Sequence, residues 1–193
     1  MQTTTGARAD LDDIERRLQP RLVREAALDD LNELFRSGHP PEPPPSGFLS
    51  GALVATTVAR PLDALAGRLK DVYMPWLGKS FAPERGEGIN VLKASARSQM
   101  KVLWPGYEAR ETTNSTLEAF SFRTRVAPGA LDPNVDVLKI DYDFEANPSF
   151  IIRNVLDELV QIDDGLYLGK ILYRMRNATS AIGFFSLGSG NGA

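Results

Sequence analysis

The sequence predicts a mainly β (α+β) fold: an antiparallel barrel of about eight strands preceded by an N-terminal helical segment. Residues 116–126 and 136–144 each alternate apolar and polar side chains, which is the pattern of half-buried strands. Residues 163–165 read Asp-Asp-Gly between two apolar stretches, a β-hairpin signal. Short turns join most of the predicted strands, and this spacing favours a barrel or sandwich over alternating βαβ units. An eight-stranded barrel has no open edge and can hold one small ligand.

The predicted helical segment occupies residues 1–38. Pro20 interrupts it, so two consecutive helices or one kinked helix are predicted. Apolar residues recur at helical spacing on both sides of Pro20: Leu11, Ile14 and Leu18 before it, and Val23, Ala27, Leu31 and Leu34 after it. Such a stripe packs on the body of the domain, covers a site as a lid, or forms a dimer contact. A homodimer therefore stays open at this point. Residues 39–46 contain five prolines and are predicted to form an extended spacer, in which His39 is a solvated loop residue.

The barrel domain is predicted to span residues 47–187, followed by a flexible tail of residues 188–193. Its strands are predicted at residues 48–58, 74–81, 89–93, 116–126, 136–144, 157–162, 166–175 and 181–187. Helices are predicted over residues 61–71 and 150–156, whereas residues 95–103 fit either a helix or a strand.

The composition excludes several classes of function. The chain has 193 residues, about one domain, and its 42% hydrophobic and 24% charged residues are near globular averages. It has no cysteine and one histidine, which excludes disulfides, thiolate metal sites, cysteine nucleophiles and any site that needs two histidines. A net charge of −3 disfavours nucleic acid as a partner. We expect neither a metal nor a cofactor.

The sequence predicts no targeting signal. Residues 1–13 show no basic start followed by an apolar core, and no stretch approaches the ~18 apolar residues of a membrane span. We expect a soluble cytoplasmic protein without a transmembrane segment.

A short motif links the chain to a known family. The sequence Trp-Leu-Gly-Lys-Ser-Phe at residues 76–81 resembles the W-x-G-K-x-F segment of the bacterial GXWXG-type, lipocalin-like family of unknown function. In that family a glycine-containing strand and a short helix precede the segment, as residues 50–53 and 61–71 do here. The C-terminal half is similar to the family at Ile-Asp-Tyr-Asp (140–143), at residues 147–153 and at the hairpin 164–170. The resemblance spans roughly residues 47–187 and implies a calycin-like barrel, and it brings no catalytic residues.

The candidate ligand-binding residues are mostly aromatic. An aromatic ring with a polar tip both packs against and orients a ligand. Lys79 stands in a strand of small and aromatic residues, from which it either reaches a ligand carboxylate or carbonyl or extends to solvent at the barrel rim. Lys170 poses the same alternative, with the solvated position favoured. The candidates are Trp76, Lys79, Tyr142, Tyr167, Tyr173 and Arg153. For Arg153, a structural role, buried by pairing with a strand carboxylate, is favoured over a position in the lumen.

A second charged set lies on two adjacent predicted strands and consists of Arg123, Arg125, Lys139, Asp141 and Asp143. These side chains form ion pairs on the solvated outer face of the barrel, or they face its lumen and bind an acidic ligand. The sequence favours the outer face.

Three functions remain open at this stage. The first is a binding protein that holds a small apolar or amphipathic metabolite, lipid- or polyketide-like, in the barrel. The second is a cofactor-independent cyclase or isomerase that acts on such a metabolite, with a tyrosine or lysine polarising a carbonyl. The third is a structural or regulatory protein that dimerises through its N-terminal helices. The absence of a nucleophile–base pair favours the first.

Overall fold

The computed structural model describes residues 6–18, 24–57, 75–113 and 115–189. The predicted helix over residues 61–71 lies outside these residues, as does most of the predicted tail. The described residues form three α-helices: α1 (Gly6–Arg17), α2 (Arg24–Ser37) and α3 (Ala96–Leu103). The ambiguous residues 95–103 are therefore helical.

The strands of the described residues agree closely with the predicted ones. They are β1 (Gly47–Thr56), β2 (Trp76–Ala82), β3 (Glu87–Lys93), β4 (Arg110–Thr113), β5 (Thr116–Pro128), β6 (Asp136–Asp141), β7 (Val155–Asp163), β8 (Leu166–Met175) and β9 (Ala178–Gly188). Strand β4 was not predicted.

The helix predicted over residues 150–156 is wrong. A single 3-10 turn at Ile152–Asn154 is followed by β7, which starts at Val155. The first six residues of β7 are all buried, because the strand has the barrel core on one face and helices on the other. A strand buried on both faces lacks the alternation that distinguishes it from a helix.

The strands form one closed antiparallel barrel. Their order is β3-β2-β1-β9-β8-β7-β6-β5, and the pairing of β3 with β5 closes the sheet. Strand β5 has 13 residues, so it pairs with β3 on one side and with both β6 and the extra strand β4 on the other. The predicted mainly β barrel of eight strands is thus confirmed. The hairpin between β7 and β8 turns at Asp164-Gly165, where Gly165 has a φ of 65°, a conformation that favours glycine.

The two buried cores lie on opposite faces of the barrel wall. The lumen core includes residues such as Phe122, Ile140 and Leu159. The outer core lies beneath the N-terminal helices and combines Leu11, Ile14, Ala27, Leu31 and Phe35 with Val137, Val160, Leu168 and Phe184. Where the structure describes them, the apolar residues of the helices are therefore covered by the barrel of the same chain, whereas Val23 lies outside the described residues. A homodimer stays a prediction.

The proline-rich segment is attached to the barrel at its start. The backbone N–H of His39 donates to Gln161 O at 3.2 Å, and the N–H of Gln161 donates to His39 O at 2.7 Å. His39 thus forms a bridge to β7 while its side chain stays exposed, which agrees with the loop position predicted for it.

Within the described residues, no helix is both long and apolar enough to cross a membrane.

Candidate functional site

A cluster of polar side chains lies inside the barrel. Lys79 on β2 is directly paired with Asn90 on β3, and both side chains are buried. Tyr142, just after β6, and Asp157 on β7 reach the same point from the opposite wall. We call these four residues the lumen cluster. Lys79 and Asp157 have no exposed surface, so the position at the barrel rim considered for Lys79 is wrong.

An irregularity in β2 places Trp76 and Lys79 on the same face. In a regular strand, residues three apart point to opposite faces. The pairing of β2 with β3 shifts by one residue between Trp76 and Gly78, which is a β-bulge, and both side chains therefore enter the lumen. Gly78 has a φ of 149°, and a Cβ atom there would lie 2.0 Å from the backbone oxygen of Leu49. The glycine of the Trp-Leu-Gly-Lys motif is thus required by the backbone that positions Lys79.

Hydrogen bonds connect the whole lumen cluster. The Lys79 Nζ donates to Asp157 Oδ2 at 2.9 Å, to Asn90 Oδ1 at 3.0 Å and to the hydroxyl of Tyr142. The Tyr142 hydroxyl lies 3.1 Å from Asp157 Oδ2, to which it donates. Asn90 Nδ2 donates to that hydroxyl at 3.0 Å and to Phe120 O at 3.1 Å, while Trp76 Nε1 donates to Asn90 Oδ1 at 3.1 Å.

Aromatic rings surround the ammonium group of Lys79. The centroids of four rings lie 5.0–5.4 Å from Nζ, those of Trp76, Phe122, Tyr142 and Phe185. Cation–π attraction at this distance favours the charged form of the lysine.

Three of these rings lie against glycines of the wall. A Cβ atom on Gly51 would lie 2.3 Å from the Trp76 ring, one on Gly88 would lie 2.3 Å from the Phe122 ring, and one on Gly169 would lie 2.1 Å from the Phe185 ring. The missing side chains leave room for the rings against the barrel wall.

Burial controls the electrostatics of the Lys79–Asp157 pair. Removal from water lowers the pKa of Lys79, and the Asp157 carboxylate opposes this change. Burial also raises the pKa of Asp157. The charge of Lys79 and the hydrogen bonds from Lys79 and Tyr142 oppose this rise. The pKa values of the two groups are therefore displaced towards each other.

Within the described part of the chain, one oxygen of the lumen cluster has no hydrogen-bond partner. Asp157 Oδ1 is buried and accepts no hydrogen bond from any residue that the structure describes, whereas Asp157 Oδ2 accepts from both Lys79 and Tyr142. An unsatisfied buried acceptor costs about 1–3 kcal/mol, and more when it is charged. This oxygen is the free hydrogen-bonding position of the cluster.

The predicted site residues divide into three groups. Trp76, Lys79 and Tyr142 are brought together, as just described. Tyr167 is buried in the lumen core and Tyr173 is half-buried against it, with its hydroxyl 3.4 Å from Asn154 Nδ2, and neither bonds to the lumen cluster. Arg153 lies on the 3-10 turn before β7 and pairs with Asp143 at 2.7 Å. The pair is exposed and Asp143 follows the end of β6, so the buried pairing with a strand carboxylate that was considered for Arg153 is wrong.

The second charged set lies outside the lumen, as favoured by the sequence, but Lys139 is buried there and the solvated position predicted for it is wrong. Asp141 Oδ1 lies 2.7 Å from Arg174 Nη2, and Asp141 Oδ2 lies 3.5 Å from Arg125 Nη1. The guanidinium carbon of Arg123 lies 4.6 Å from the centre of the Phe144 ring. Lys139 pairs with Glu158 at 3.0 Å. The Lys139–Glu158 pair lies on the same face of β6 and β7 as Val137 and Val160 of the outer core.

Lys170 differs from the prediction. It is neither solvated nor in the lumen: its Nζ lies 2.5 Å from Asp132 Oδ2 and 4.3 Å from the centre of the Phe35 ring, beneath α2. The solvated position was wrong because the N-terminal helix covers this face of β8.

Sequence reasoning missed Asn90 and Asp157. Asp157 is followed by a second acidic residue, Glu158, in a run that is otherwise apolar. Successive residues of a strand face opposite sides, so one of the two acids had to face the lumen. The sequence does not reveal which one, since Val155 and Leu159 on one face match Leu156 and Val160 on the other.

The comparisons with known proteins support the fold alone. No family model matches the chain, and no curated protein matches it. A crystal structure of a protein from Thermomonospora curvata is similar to this chain, with a TM-score of 0.51 and 18% sequence identity over 93% of this chain and 99% of that one. The resemblance to the GXWXG-type family therefore stays a prediction.

Proposed function

We propose that the protein binds a small amphipathic metabolite in the barrel, with the polar end of the ligand at the lumen cluster. The observation that carries the proposal is the wholly buried Lys79–Asp157 pair, with Tyr142 bonded to both residues. Removing two charges from water costs several kcal/mol for each ion, and apolar residues of similar volume often stabilise a core as well or better. A role in ligand binding gives a reason to keep these polar groups in the lumen.

The surroundings of the cluster suit the apolar part of such a ligand. The rings of Trp76, Phe122 and Phe185 line the lumen next to Lys79. Binding sites for small molecules combine apolar and aromatic walls with a few convergent polar groups. Clusters with displaced pKa values are also frequent at functional sites.

The binding proposal is tested with a matched pair of variants. Lys79→Met and Lys139→Met each break a buried lysine–carboxylate pair, the first in the lumen and the second on the outer face. We expect the wild type and Lys139→Met to bind the apolar fluorescent probe N-phenyl-1-naphthylamine, and Lys79→Met to bind it about tenfold more weakly. Fluorescence titration measures this, and native mass spectrometry of the freshly purified protein detects any retained small molecule. Equal affinities in the two variants, or no binding by the wild type, would contradict the proposal.

A second candidate function is cofactor-independent isomerisation or cyclisation. It is favoured by the contact of the Tyr142 hydroxyl with both Lys79 and Asp157, whose pKa values burial displaces towards each other. In such a reaction, the Asp157 carboxylate takes a proton from the carbon next to a ketone. The hydroxyl hydrogen of Tyr142 turns from Asp157 to the carbonyl oxygen, and the proton held by Asp157 then returns to the same or another carbon.

The enzymatic candidate is tested by proton exchange. The wild type is incubated with 2-undecanone in D₂O, and we expect it to introduce deuterium next to the carbonyl faster than buffer alone. Tyr142→Phe should lower this rate about 100-fold, within the range of general acid–base catalysis. Tyr173→Phe, outside the cluster, should leave the rate unchanged. Mass spectrometry of the ketone provides the readout, and exchange at the buffer rate would exclude this chemistry.

A further inference from the structure

We propose that the lumen selects uncharged ligands whose polar end donates a hydrogen bond, such as an alcohol or a phenol, over ionised carboxylates. This inference rests on the proposed binding function and specifies the chemistry of the ligand. It follows from two properties of the lumen cluster: the hydrogen-bonding positions already in use, and the balance of charge.

The donors of the cluster are all in use. An ammonium group has three N–H bonds, and those of Lys79 point to Asp157, Asn90 and Tyr142. Both N–H bonds of the Asn90 amide are occupied by Phe120 O and the Tyr142 hydroxyl. The single indole N–H of Trp76 donates to Asn90 Oδ1. A ligand carboxylate, which only accepts hydrogen bonds, would have to break one of these bonds.

The free position is an acceptor. Asp157 Oδ1 is buried and has no partner among the residues that the structure describes. A ligand hydroxyl that donates to this oxygen breaks none of the hydrogen bonds of the cluster. A hydrogen bond to a charged group contributes more than one between neutral groups, so this single contact discriminates strongly between a donor and an acceptor.

The charge balance favours the same ligand class. Lys79 and Asp157 form a one-to-one pair, and they are the only buried ionisable groups of opposite charge that face the lumen within the described residues. The other buried charges, Lys139 with Glu158 and Lys170 with Asp132, lie on the outer face. A ligand carboxylate in the lumen would be a second anion beside Asp157 with no further cation to balance it, which is costly in a medium of low polarity.

The test compares two ligands that differ only in the polar end. Decan-1-ol and decanoate are titrated against the N-phenyl-1-naphthylamine complex at pH 7.5, where decanoate is ionised. We expect the wild type to prefer decanol by about tenfold or more. Asp157→Asn removes the negative charge and leaves Lys79 as an unbalanced cation, so its preference should move towards decanoate by at least about tenfold. Glu158→Gln, the adjacent buried acid on the outer face, should keep the preference of the wild type.

The outcomes separate the inference from the proposed function. A wild type that binds decanoate more tightly than decanol overturns the inference and leaves the binding function intact. An equal change of preference in Asp157→Asn and Glu158→Gln also overturns it, because the selectivity would then not depend on Asp157. Displacement of the probe by neither ligand contradicts both the inference and a binding site for amphipathic molecules. The comparison within the wild type decides the question even where Asp157→Asn does not fold.

Discussion

Replacing Lys79 by methionine is expected to lower the free energy of unfolding by about 3–5 kcal/mol. The substitution keeps an unbranched side chain of similar length but leaves Asp157 as a buried carboxylate without its cation. Asn90 Oδ1 and the Tyr142 hydroxyl also lose a donor. Urea denaturation followed by circular dichroism measures the loss.

Two controls show whether the loss comes from the unpaired charge. Arg97→Met breaks an ion pair with Glu111 in which both side chains are about half exposed, and it should cost about 0–1 kcal/mol. Asp157→Asn added to Lys79→Met should recover part of the loss, because the double variant buries no net charge in the lumen. A cost of Lys79→Met no larger than that of Arg97→Met would show that Asp157 is already uncharged in the folded protein.

Replacing Gly78 by alanine is expected to lower the free energy of unfolding by about 2–4 kcal/mol, because backbone strain and a steric clash combine. The φ of 149° is one that L-amino acids rarely adopt, and the new Cβ atom would lie 2.0 Å from the Leu49 oxygen. That oxygen belongs to β1, so relief of the clash must separate β1 from β2 next to Lys79. Urea denaturation again measures the change in stability.

Gly106→Ala is the matched control for Gly78→Ala. A Cβ atom on Gly106 would have nothing within 4 Å. We expect this substitution to change the free energy of unfolding by no more than about 0.5 kcal/mol. Similar effects at Gly78 and Gly106 would mean that the bulge in β2 accommodates a side chain.

The fold could be predicted wherever one face of a strand meets the core and the other meets solvent. Residues 116–126 and 136–144 show this alternation, and β5 and β6 are the result. The same reasoning failed in two places where an element is buried on both sides. The start of β7 resembled a helix, and Lys170 on β8 was assigned to solvent although α2 covers it. In both cases the missing information was the position of the N-terminal helices on the barrel.

Only part of the candidate site could be predicted from the sequence. Trp76 and Tyr142 were identified as aromatic rings with a polar tip, and Lys79 as a lysine in a strand of small and aromatic residues. Their meeting in the lumen depends on the bulge between Trp76 and Gly78, a backbone irregularity that residue patterns do not show. Asp157 reaches Lys79 from across the barrel, and the closure of the sheet that brings them together is set by pairings distant in sequence.

The doubly buried segment of β7 has a consequence for how the chain folds. Residues 155–160 read Val-Leu-Asp-Glu-Leu-Val. Each face of the strand therefore carries two apolar residues and one acidic residue. A slip of one residue moves every side chain of a strand to the other face, which normally exposes the core. Here the slip would place Glu158 on the lumen face and Asp157 on the outer face, with apolar residues still on both sides. The correct register of β7 must therefore come from its ends, from the tight turn at Asp164-Gly165 and from the backbone bridge between His39 and Gln161.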